Sequence, residues 1–87
     1  MEQELRVEGF VIHKDGDLIL SISLGSQSVR VGQRVISNGR FGTPENTVGF
    51  VANLTQPYTQ GWSSNIIGVL WEDHQVPMNM KFKDLKF

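Results

Sequence analysis

The chain has 87 residues, 39% of them hydrophobic and 20% charged, with no cysteine and a net charge of −1. A domain of this length buries only roughly 60–65% of the surface its unfolded chain exposes, so its core is thin, and neither disulfides nor a thiolate zinc site can reinforce it. The near-neutral balance provides no general pull toward nucleic acid, and no apolar run approaches the ~20 residues of a membrane-spanning helix.

From Leu5 to Ile12, apolar residues occupy both parities, the pattern of one strand covered on both faces near its end. Asp15-Gly16 follows as a two-residue hairpin signal, with Lys14 and Asp17 flanking the turn. Beyond it Leu18, Leu20, Ile22 and Leu24 alternate with Asp17, Ile19, Ser21 and Ser23, which predicts a half-buried strand with the leucines and Ile22 inward. Gly25-Ser26-Gln27-Ser28 breaks that pattern, and Val29 and Val31 lead through Gly32 into a short strand at Arg34-Val35-Ile36-Ser37.

A loop from Asn38 to Asn46 precedes an amphipathic strand in which Val48, Phe50, Ala52 and Leu54 alternate with Thr47, Gly49, Val51 and Asn53. Gly49 is read as a bulge or tight bend. Asn53-Leu54-Thr55 matches a glycosylation pattern but is taken as a strand end, because the acidic N-terminus with Glu2 and Glu4 lacks the features of a secretory signal. The expected compartment is accordingly the cytoplasm.

The polar stretch Thr55 to Asn65, broken by Pro57 and Gly61, reads as the longest loop and carries Tyr58 and Trp62. Ile66 to Trp71 is a strand, Glu72-Asp73-His74 a turn, and Gln75 to Met78 the return strand, with Pro77 marking an edge. Met80, Phe82 and Leu85 complete the core, and Phe82-Lys-Asp-Leu85 has the spacing of a single 3-10 turn. No window offers a long amphipathic helix. The expected class is all-β.

This order, strand, irregular loop, strand, loop, hairpin, 3-10 turn and short final strand, is similar to an SH3-like barrel over residues 29–87, with residues 1–25 added as an N-terminal β-hairpin to a single domain of residues 1–87. Val31-Gly32-Gln-Arg-Val35-Ile36-Ser37-Asn-Gly39-Arg-Phe41-Gly42, followed by Gly49-Phe-Val51-Ala-Asn-Leu54, resembles the KOW-type motif of certain ribosomal proteins and transcription elongation factors. Thr43 to Thr47 stands where that family has a shorter, Lys-rich turn. Ile67-Gly-Val-Leu-Trp71-Glu-Asp73 running on to Leu85 also looks like the ending of several SH3-like adaptor and accessory-subunit domains, while the acidic, Tyr-rich first loop of polyproline-binding SH3 domains is absent.

Catalytic chemistry finds few groups to work with. His13 and His74 fall beside predicted turns without metal-ligand spacing, no serine sits in a nucleophile elbow, and Glu72 and Asp73 are adjacent in a turn. No enzyme activity, metal or cofactor is expected. The loop aromatics Phe41, Tyr58 and Trp62 are candidate anchors for a protein partner, since Trp and Tyr are favoured at interface centres. Arg34, Arg40, Lys81, Lys83 and Lys86 form an alternative, a basic edge that would bind nucleic acid with Phe41 stacking on a base. Self-association through the N-terminal hairpin is a third possibility.

Overall fold

The computed structural model describes residues 1–7, 9–39, 43–56 and 65–86. The protein is all-β. Its strands are β1 (Glu2–Val7), β2 (Phe10–Asp15), β3 (Leu18–Leu24), β4 (Gln27–Arg30), β5 (Arg34–Ser37), β6 (Val48–Leu54), β7 (Ile67–Trp71), β8 (Met78–Met80) and β9 (Leu85–Lys86), with a 3-10 turn at Phe82–Asp84. They form an antiparallel meander of order β1-β2-β3-β4 and an antiparallel sheet of order β8-β7-β6-β5-β9.

In the second sheet the last strand returns to pair with the first, curling it into a half-barrel of the small SH3-like kind. The predicted 3-10 turn is present. The Asp84 carboxylate accepts a bond from the Lys81 backbone N–H (3.2 Å), and the Asp84 N–H donates to the Lys81 carbonyl (3.0 Å). Both sheets contribute to one core: Phe10, Ile12, Ile22 and Val29 from the meander meet Val35, Val51, Val69, Trp71 and Phe82 from the half-barrel. The Phe10 and Phe82 rings, 6.2 Å apart between centroids, join the two.

The N-terminal region holds four strands where sequence pattern alone implies one hairpin. The run from Leu5 to Ile12 is divided by Gly9, whose φ of 88° turns the chain back so that Val7 pairs with Phe10. Gly16 is the first of two turn residues, not the second, since its φ of 60° suits that position; Asp15 and Leu18 therefore flank the turn. Val29 and Arg34–Ser37 belong to different sheets, separated at Gly32, whose φ is 90°. Backbone bonds from Gly32 N–H to the Val51 carbonyl (2.8 Å) and from Val51 N–H to the Gln33 carbonyl (2.9 Å) tie this corner to β6.

Two β-bulges decide which side chains face inward. In β3, His13 pairs with Ser21 but Lys14 pairs with Ile19, leaving Leu20 as an extra residue. An extra residue reverses the faces beyond it, so Ile19 is buried at 8% exposure and Leu18 stands out at 59%, the opposite of simple alternation. In β6, Val51 pairs with Val69 and Asn53 with Gly68, so Ala52 is the bulged residue and Val51 and Leu54 are both buried. The return strand begins at Met78, after Pro77, because proline has no N–H to donate to β7.

Candidate interaction surface

The residues singled out in the loops, Phe41, Tyr58 and Trp62, lie outside the described residues, as does Arg40. Hydrogen bonds hold the described ends of their loops. The buried Ser37 organises the first: its hydroxyl donates to the Thr43 carbonyl (3.2 Å) and accepts from the Gly39 N–H (3.1 Å). Its backbone N–H donates to the Thr47 carbonyl (2.9 Å), and its carbonyl accepts from the Asn46 N–H (3.0 Å). The second loop is closed by a bond from the Thr55 N–H to the Ile66 carbonyl (2.8 Å). The first loop enters β6 at Val48 and the second leaves it at Leu54, ends separated by about 20 Å of strand at ~3.3 Å per residue.

Of the basic residues, Arg34 is exposed on β5 and Lys86 is exposed on β9. Lys86 pairs with Ile36, two residues from Arg34, so both cations project from the outer face of the half-barrel. The Lys86 ammonium lies 3.2 Å from a Glu45 carboxylate oxygen, an exposed pair worth little in water. Lys83 is exposed in the 3-10 turn, where its carbonyl accepts a bond from Asn38 Nδ2 (3.3 Å), and Lys81 is half-buried just before it.

The structure brings to the same outer face two apolar residues that alternation did not single out. Phe50 is 54% exposed and Leu70 40% exposed, and they are direct cross-strand partners on β6 and β7. Gly49 and Val51 take the inward positions of β6, opposite Trp71 and Val69, so Phe50 between them points outward. Arg34 continues the row as the partner of Phe50 on β5. A parallel row runs Lys86, Ile36, Val48, the latter two half-buried. Each row therefore begins with a cation and continues as hydrocarbon. The sequence signal for this face was the inward register of Trp71, which fixes Gly49 and hence Phe50 once the strands are paired.

Among the described residues no group of three or more His, Asp or Glu is placed to hold a metal ion. His13 is half-buried on β2, 3.8 Å from Glu4, and His74 is half-buried beside Asp73 at 3.3 Å. No described helix is long and apolar enough to cross a membrane. Comparison with family models, curated proteins and solved structures finds no match to this chain.

Proposed function

We propose that this chain is a non-enzymatic protein-binding module, an adaptor, accessory subunit or inhibitor of a larger complex, that engages its partner through the outer face of the half-barrel. The observation that carries this reading is the exposed Phe50–Leu70 pair with Arg34 alongside it. An apolar centre bordered by cations fits a segment that offers apolar side chains to Phe50 and Leu70 and a carboxylate to Arg34. Phe41, Tyr58 and Trp62 are further candidate anchors, and a Tyr58→Ala/Trp62→Ala variant measures their share separately from the face. The test is capture from native extract by the tagged chain and by a Phe50→Ser/Leu70→Ser variant whose fold is verified by circular dichroism. A stoichiometric protein lost only with the variant supports the reading, and equal capture by both contradicts it.

A second reading rests on the same face, where Arg34 stands opposite the exposed Phe50 ring and Lys86 lies two strands away from it. Phosphates neutralised by these cations, with Lys81, Lys83 and Arg40, and a base stacked on Phe41 or Phe50 would make a KOW-type nucleic-acid module. Such binding weakens steeply as salt rises. Retention of RNA or DNA at low salt, abolished by Arg34→Glu, supports it; no retention at low salt removes it.

A further inference from the structure

We infer that β1 is a self-association edge at which two copies of the chain pair antiparallel, with Leu5 opposite Leu5, extending the meander into one continuous eight-stranded sheet. β1 is six residues long and exposed over nearly its whole length, and no described strand pairs with its outer side. The other terminal strands, β4, β8 and β9, have only four, three and two residues. Short edges discourage pairing, whereas a long one offers a row of backbone donors and acceptors to a second chain.

The ladder determines which of those groups are open. The two-residue turn Gly16-Asp17 makes Asp15 and Leu18 a bonded pair, so along β2 the backbone groups of Asp15, His13 and Val11 face β3 and those of Lys14, Ile12 and Phe10 face β1. Their partners on β1 are Gln3, Leu5 and Val7. The backbone groups of Glu2, Glu4 and Arg6 are thus directed to the open side.

Side chains then select the register. A continuous sheet requires residues of the same face to oppose each other. Pairing about Glu4 would oppose Glu2 and Arg6 twice but set Glu4 against Glu4 at its centre, and pairing about Arg6 would set Arg6 against Arg6. Pairing about Leu5 sets Glu4 of each copy against Arg6 of the other, twice, using the open backbone groups of both residues. Leu5 and Val7 pair with the fully buried Ile12 and Phe10, so they share the core-side face. Leu5, 37% exposed at this edge, would meet its counterpart in a non-hydrogen-bonded pair, where side chains approach more closely. The 3.6 Å contact between Glu4 and Arg6 within one strand shows that the two already share the opposite face.

The experiment is sedimentation velocity over a concentration series for the full chain and four variants. The parent chain is expected to dimerise. Glu4→Arg and Arg6→Glu, each placing like charges opposite one another twice, should weaken the dimer about tenfold or more, and the double variant Glu4→Arg/Arg6→Glu should restore it to within about threefold, since the exchanged charges are again complementary. Glu4→Pro removes an open-side N–H without touching the β1-β2 ladder, and should give a folded monomer. A parent chain that stays monomeric at the highest concentration reached would overturn the inference. So would a dimer that the single reversals leave unchanged, or one that the double reversal does not restore.

Discussion

Gly49 lies directly beneath Trp71: the two are cross-strand partners on β6 and β7, and a Cβ built on Gly49 would stand 2.5 Å from Trp71 Cε3 and 2.7 Å from Val69 Cγ1. Both neighbours are fully buried, so neither can swing into solvent. The glycine at this position is a space requirement, and the bulge it was expected to mark lies three residues later at Ala52. By letting the indole settle against β6, Gly49 fixes the inward register of the strand and sends Phe50 to the outer face. Gly49→Ala should therefore destabilise the fold by about 1–3 kcal/mol through overpacking, read as a lower midpoint in urea unfolding.

Gly68 makes a contrasting prediction. A Cβ there would run into the Asn53 side-chain amide, but Asn53 is exposed and can move away. Gly68→Ala should cost less than Gly49→Ala, and most of its cost should disappear when Asn53→Ala is added. A double-mutant cycle in urea measures this coupling.

Leu18 and Ile19 test the bulge at Leu20. Ile19→Ala should lose about 2–4 kcal/mol because the side chain is in the core, while Leu18→Ala should fall within about 0.5 kcal/mol of the parent. Thermal or urea unfolding of the two variants compares them directly. The reverse order would mean that the strand keeps simple alternation.

Ser37 at the end of β5 and Thr43 in the first loop, both buried, should respond in opposite directions. Ser37→Ala removes a hydroxyl that donates to the Thr43 carbonyl and accepts from the Gly39 N–H, and should cost about 1–3 kcal/mol. Among the described residues the buried Thr43 hydroxyl meets no hydrogen-bond partner, so Thr43→Val, close in shape and lacking that polar atom, should be neutral or stabilising by up to about 1 kcal/mol. Urea unfolding of both variants provides the comparison.

How much of this was legible in the sequence follows from what is local. The turns at Gly16 and Gly25, the 3-10 turn at Phe82–Asp84 and the strand that ends at Trp71 each depend on a few neighbouring residues, and the pattern shows them. The facing of Leu18, Ile19 and Phe50 depends on how β3 meets β2 and how β6 meets β7, and a bulge at Leu20 or Ala52 leaves no mark on either strand alone. The division at Gly9 was hidden because apolar residues continue on both sides of it. The division at Gly32 was hidden in the same way, although the chain there leaves one sheet for the other. The apolar face is hidden for the same reason as the register: Phe50 is one parity of an amphipathic strand, and which parity faces outward is settled only when that strand is paired.

The central claim is that the Phe50–Leu70 face holds a protein partner. Isothermal titration of the purified, captured partner against the parent chain and the folded Phe50→Ser/Leu70→Ser variant tests it most directly. Removing two central apolar contacts should weaken binding by about 30-fold to 1,000-fold, as the loss of interface anchors does; affinity unchanged within about threefold would place the partner elsewhere on the molecule and contradict the account.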